Sequence, residues 1–230
     1  QLVQVPVFLH FWSTPLYGEW MIVNSIPNYL SFSNIGFGTV AGNEMTMMVA
    51  RDERDEALRV FQSCWWLISL ICTVTVILLI GALYFLPAAR LLKLSYISES
   101  DTKWIIFYLG VSVLFGQLEG LLQAAYRSIG RYPYGAFVKN LLALAAFGGM
   151  ILAVVFGSGA RTTALVYAVA NMAGTVLLCF MVRRDIPWLE YGWAHASLDE
   201  VRRLVRPAIA FMGFPLGNAL NLQGTLLAVG

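Results

Sequence analysis

Residues 60–86 read VFQSCWWLISLICTVTVILLIGALYFL, an unbroken run of 27 residues without a formal charge. As a helix this run would be about 40 Å long, more than the ~30 Å hydrocarbon core of a bilayer. Pro87, which cannot donate to a helical hydrogen bond, closes it. Around this stretch the chain is 59% hydrophobic and only 12% charged, with a mean hydropathy of +0.70. A soluble domain of this size could not bury so much apolar surface. The chain therefore reads as an all-α polytopic membrane protein whose first partner is the lipid bilayer.

Composition also excludes several functions. A net charge of +2 gives no support for a nucleic-acid partner. Cys64, Cys72 and Cys179 all fall in apolar runs without a CxxC pair, so they read as small hydrophobes and not as a disulfide framework or a metal site. His10 and His195 stand too far apart and too bare of companions for a metal or a triad. No nucleophile elbow, P-loop, zinc motif or HExxH occurs. The expectation is a protein that is not an enzyme, with no catalytic residues, no metal and no cofactor.

Apolar runs of about 20 residues mark the spans. The first ends near Trp12. The second, from Tyr17 to about Ala50, is too long for one straight helix, and Pro27, Gly36 and Gly38 offer places to break it. Further spans cover residues 60–86, 102–129, 134–156 and 162–182, and a seventh starts at Pro207. The chain opens and stops inside apolar stretches, at Gln1 and Gly230, and so reads as a fragment truncated at both ends. Residues 1–182 form a first lobe with a partial first helix, 183–206 a link, and 207–230 the start of a second lobe. In the link, Ser197-Leu-Asp-Glu200 is a capping-box pattern, and Val201, Leu204 and Val205 share one face, which predicts a short amphipathic helix lying on the membrane.

Lys and Arg set the orientation. Arg51, Arg54, Arg59, Arg127, Arg131, Lys139, Arg183, Arg184, Arg202, Arg203 and Arg206 belong to one side, and only Arg90, Lys93, Lys103 and Arg161 to the other. The eleven-residue side is the cytoplasmic one by the positive-inside rule.

Polar residues inside the spans carry the functional information, because each is costly unless it faces protein or water. Ser112, Gly116, Glu119, Gln123 and Arg127 form one stripe of the fourth span. Glu119 and Arg127 are roughly 12 Å apart along a helix, too far for a direct pair. A charge at the bilayer centre costs ~2.5–3.5 kcal/mol on insertion scales, so Glu119 needs another partner or a proton. Asn24, Asn28 and Ser31, then Tyr167, Asn171 and Gly174, then Asn218, Asn221 and Thr225, form similar stripes on the second, sixth and seventh spans. Such stripes serve either as packing glue or as the wall of a shared cavity. The third span lacks one and is expected to face lipid. Arg127, Arg131 and Lys139, beside Tyr126, Tyr132 and Tyr134, suit either positive-inside topology or an anionic head group.

Several strings carry a family resemblance: Tyr17-Gly-Glu-Trp20, Asn34-Ile-Gly-Phe-Gly38, Met48-Val-Ala-Arg51 running into Asp55-Glu-Ala-Leu-Arg-Val-Phe-Gln62, Gly130-Arg-Tyr132, and Arg206-Pro-Ala-Ile-Ala-Phe-Met212. The chain resembles the polysaccharide-export and O-antigen flippase branch of the multidrug/oligosaccharidyl-lipid/polysaccharide exporter superfamily. The resemblance implies two six-helix lobes with alternating access to a central cavity in a bacterial inner membrane. The cargo it implies is an undecaprenyl-pyrophosphate-linked oligosaccharide, with a proton or sodium gradient as the drive. The candidate cavity residues are then Asn24, Asn28, Gln123, Arg127, Lys139, Asn171, Asn218 and Asn221, and the candidate ion-coupling residues Glu119 and Glu44. Two other readings stay open: a multidrug cation antiporter of the same superfamily, and a scaffold without a cavity. A net positive cavity favours lipid pyrophosphate, a net negative one cationic drugs, and closely packed stripes the scaffold.

Overall fold

The computed structural model describes residues 4–30, 36–205 and 207–208, and the side chains of all of these except 28 and 29. Among them the regular structure is helical throughout: α1 (Gln4–Phe11), α2 (Thr14–Leu30), α3 (Phe37–Ala50), α4 (Arg54–Phe85), α5 (Ala88–Leu91), α6 (Glu99–Ser128), α7 (Tyr132–Val155) and α8 (Ala160–Asp185). A ninth helix, α9, covers 198–205. Four of them, α4, α6, α7 and α8, are long and apolar enough to cross a membrane. The chain thus has the make-up of a multi-pass helical membrane protein. The seventh span beyond residue 208, with Asn218, Asn221 and Thr225, lies outside the described residues, as do Ser31 and the side chain of Asn28.

α6 is the most buried of the four long helices and α4 the least. The far half of α4 exposes Val74, Ile77, Leu78, Ile80, Tyr84 and Phe85, which suits the expected lipid-facing role. Its near end is different. Gln62 and Ser63 are fully buried, and both hold the segment that follows α8: Gln62 Nε2 donates to the Glu190 carbonyl (3.0 Å), Gln62 Oε1 accepts from His195 N–H (2.8 Å), and Ser63 Oγ accepts from Ser197 N–H (3.0 Å).

The long second span divides into α2 and α3, with Gly36 in the left-handed region (φ 69°) as the N-cap of α3. Both pieces run along α6 in its own direction. Glu19 meets the backbone just before α6, Leu30 lies beside Gly110, Gly38 meets Gly120, and Gly42 meets Ala124. Together the two helices follow most of the length of α6.

The contact between α3 and α6 is close because both faces are small. A Cβ added at Gly38 would stand 3.0 Å from the backbone carbon of Gly120, and one at Gly42 3.1 Å from the Ala124 Cβ. Gly38 and Gly42 are four residues apart, as are Gly120 and Ala124, so two small-xxx-small faces meet, an arrangement that lets membrane helices pack backbone to backbone.

The bundle has a basic end and an opposite end. At the opposite end the Glu19 carboxylate accepts the successive N–H groups of Ser95, Tyr96 and Ile97, Trp12 Nε1 donates to the Ser158 carbonyl (3.2 Å), and Arg161 pairs with Asp101 (3.7 Å). At the basic end, α3 closes through Asp52 at φ 61°, a left-handed position for which Asp is one of the better non-glycine residues. Asp52 N–H reaches the Val49 carbonyl and Glu53 N–H that of Met48, the paired bonds of a Schellman ending. In the turn between α3 and α4 and the first turns of α4, Arg54 pairs with Asp52 (3.4 Å) and Arg59 with Glu56 (3.2 Å).

The link helix also departs from expectation. Val201 and Leu204 of α9 are buried, and Leu204 joins the core formed with α3, α4, α6 and α8, so this apolar face packs on protein and not on lipid. Its capping box is half formed: Ser197 Oγ accepts from Asp199 N–H (3.3 Å), while Ser197 N–H goes to Ser63 and Glu200 pairs with Arg203 (2.9 Å). Tyr191, inside this link, donates its hydroxyl to the Cys179 carbonyl (2.8 Å), and burial pushes the phenol far above its ordinary pKa, so it remains a donor.

Gly38→Ala must force α3 and α6 apart and should cost about 1–3 kcal/mol of stability. Gly148→Ala on α7, with open space at its Cβ, should be neutral or stabilise by up to about 1 kcal/mol. Unfolding both variants in mixed micelles checks the contrast.

Candidate functional site

Between α1, α2, α6, α7 and α8 lies a cavity of ≈ 330 Å³. Trp20, Asn24 and Pro27 of α2 form one wall, Ser112 and Gly116 of α6 a second, and Tyr167 and Asn171 of α8 a third, with Gln4 and Phe147 completing it. Each contributor falls on the helix face that its spacing foretells, since residues three or four apart share a side. No residue of the lining carries a formal charge. Its polar groups are amides and hydroxyls, and its flat surfaces are aromatic rings. Trp20 is 1% exposed, and its indole N–H has no partner among the described residues, an arrangement that costs ~1–3 kcal/mol when no water intervenes.

One turn of α6 beyond Gly116, towards the basic end, stands Glu119. Its Oε1 accepts the Thr175 hydroxyl of α8 (2.8 Å), and its Oε2 lies 3.9 Å from Lys139 Nζ of α7. Glu119 is nine residues short of the end of α6, or about 14 Å inside the bundle. The partner that Glu119 needs is therefore a lysine and a threonine on two other helices. Thr175 is also the residue that links the pair to the cavity: the same hydroxyl lies 3.1 Å from the carbonyl of Asn171, whose side chain lines the cavity and donates to the Tyr167 carbonyl (3.0 Å).

The remaining candidates separate. Asn24 and Asn171 line the cavity. Lys139 does not, because it is turned to Glu119. Gln123 is buried and donates to the Gly135 carbonyl (2.9 Å), which ties α6 to the start of α7. Arg127 reaches away from the cavity, with its stem beside Gly42 and its guanidinium 4.9 Å over the Tyr132 ring. Glu44 pairs with Arg203 of α9 (3.4 Å) at the basic end. Asn218, Asn221 and the side chain of Asn28 lie outside the described residues.

Besides Gln4 and Phe147, the sequence reading gave no role to Trp20, Thr175 or Glu19. Trp20 stands four residues before Asn24, and Thr175 four after Asn171, so both extend stripes already recognised. Glu19 fixes the loop before α6 and so braces α2, but its place within an apolar string hides that role.

No family model matches the chain, and neither a curated protein nor a solved structure does.

Removing one member of the ion pair leaves the other charge uncompensated, whereas removing both does not. Glu119→Gln and Lys139→Met should each destabilise, and the double variant should cost less than their sum, with a coupling of about 0.5–3 kcal/mol. A double-mutant cycle of unfolding in mixed micelles measures it.

Proposed function

We propose that this chain is part of a membrane transporter that moves a lipid-linked oligosaccharide, of the undecaprenyl-pyrophosphate type, across the bacterial inner membrane by alternating access. The observation that carries this reading is the uncharged cavity, with asparagine amides, hydroxyls and aromatic rings on its walls. A sugar presents hydroxyls that both donate and accept, and flat C–H faces that rest on rings. Amides supply both donor and acceptor, and Trp20, Tyr167 and Phe147 supply rings. A volume near the lower limit of ligand sites suits one or two sugar units at a time. The basic end fits the cytoplasmic side.

The competing readings fare less well on the same ground. A cation exporter needs an acidic group free to face its cargo, yet Glu119 is paired with Lys139 and Glu44 with Arg203, and neither lines the cavity. A scaffold predicts stripes packed against one another, where a cavity separates them. The lining is neutral and not net positive, so it suits the saccharide better than the pyrophosphate.

Loss of the full-length protein should cause lipid-linked oligosaccharide to accumulate facing the cytoplasm. Asn24→Leu together with Asn171→Leu, at normal membrane levels, should slow export about tenfold or more, the equivalent of two lost hydrogen bonds at ~1 kcal/mol each. Unimpeded export after loss, in a strain that makes the polymer, would sink the proposal.

A further inference from the structure

A hydroxyl has one hydrogen to donate, and Thr175 has two acceptors within reach. Oγ1 stands 2.8 Å from Glu119 Oε1 and 3.1 Å from the Asn171 carbonyl. With Glu119 ionised, Thr175 donates to the carboxylate. With Glu119 protonated, the carboxyl can donate to Thr175 Oγ1, and the Thr175 hydrogen can turn to the Asn171 carbonyl. Both arrangements leave each group hydrogen-bonded and require only rotation of one O–H.

We propose that Glu119, Thr175 and Lys139 form a proton-exchange site, in which one proton from water binds the Glu119 carboxylate and the Thr175 hydroxyl reverses its hydrogen bond. The proton adds to a carboxylate oxygen, no other bond is made or broken, and the charge of the Glu119–Lys139 pair changes from zero to one positive. The setting is deep, since the side chain of Glu119 is 16% exposed, and Lys139 beside it, at 40%, is the more exposed member of the pair. Reversal also alters the hydrogen bond at the backbone of Asn171, whose side chain touches the cavity, so proton occupancy and cavity contents share one connection.

The groups around Glu119 support a proton over a metal cation. An ammonium 3.9 Å from Oε2 repels a sodium ion at that oxygen. Beyond Lys139 of α7, α8 offers Thr175 and the Cys179 thiol, which lies within electrostatic reach, with Tyr191 behind it on the Cys179 carbonyl. From α4, Cys72 meets α6 at the Leu114 carbonyl (3.5 Å), and α3 meets it through Gly38 at Gly120. None of these adds the cluster of oxygens that a hard cation requires.

The inference extends the transport reading by naming its coupling ion, but its chemistry stands without any cargo. The test is therefore made on the full-length protein in lipid nanodiscs without substrate, by infrared difference spectroscopy between about pH 4 and about pH 9. The expected result is a carboxylic-acid carbonyl band that Glu119→Gln removes and Glu44→Gln leaves. Its frequency should rise in Thr175→Val, which removes the acceptor of its hydrogen bond, and its midpoint should move by about one pH unit or more in Lys139→Met. Exchange of sodium for choline should leave it unchanged. A spectrum identical in wild type and Glu119→Gln, a band insensitive to Thr175→Val, or one abolished by sodium would overturn the proposal. Should Glu119→Gln not accumulate, the frequency change in Thr175→Val decides alone.

Discussion

Everything in this bundle is arranged around the contact of α3 with α6, where Gly38 and Gly42 meet Gly120 and Ala124 with almost no space for a side chain. In a membrane no hydrophobic effect drives helices together, so close van der Waals contact of this kind must hold them. The contact fixes α3 against the basic-end half of α6. Near the break Leu30 touches Gly110, while Glu19 anchors the far end of α2 to the backbone at 95–97. Trp20, Asn24 and Pro27 of α2, and Leu109, Ser112 and Gly116 of α6 around and just past Gly110, line the cavity.

Charge placement follows the same geometry. The cavity lining is neutral, and the nearest ion pair sits one turn deeper, satisfied across three helices. Arg127 and Glu44 are drawn off to the basic end, one onto an aromatic ring and the other onto α9. Gln62 and Ser63 fasten the segment before α9 and Glu44 pairs with Arg203 of α9 itself, so the link joins α3 and α4 into one unit instead of floating at the lipid surface.

Much of the architecture was legible in the sequence, because a membrane span is a local property of length and hydropathy. The run at 60–86 anticipates α4, but the helix starts six residues earlier, at Arg54, since charged residues suit a helix that projects into water. The run at 102–129 misses the start of α6, where Ser98 caps the helix and Glu99 and Asp101 favour its positive end, charges that read as a link. The stripes of Asn24, Ser112 and Asn171 were visible through helical periodicity. Their convergence was not, because pairing across helices is set by packing. Lys139 read as a partner of Arg127 in a basic cluster, whereas it reaches back to Glu119. The Gly38-xxx-Gly42 spacing was in plain sight, yet two glycines signify little until the small face opposite them is known.

The central claim is a hydrated polar cavity enclosed by a membrane-embedded bundle, and thiol chemistry tests it most directly. In full-length protein without its native cysteines, Ser112→Cys and Asn171→Cys would be exposed, in opened membranes, to a small charged methanethiosulfonate reagent. Only a hydrated thiol forms the reactive thiolate at an appreciable rate. Both should react about as fast as Ser158→Cys in the turn between α7 and α8, and far faster than Leu78→Cys on the exposed apolar face of α4. Cavity cysteines as inert as Leu78→Cys would contradict the account.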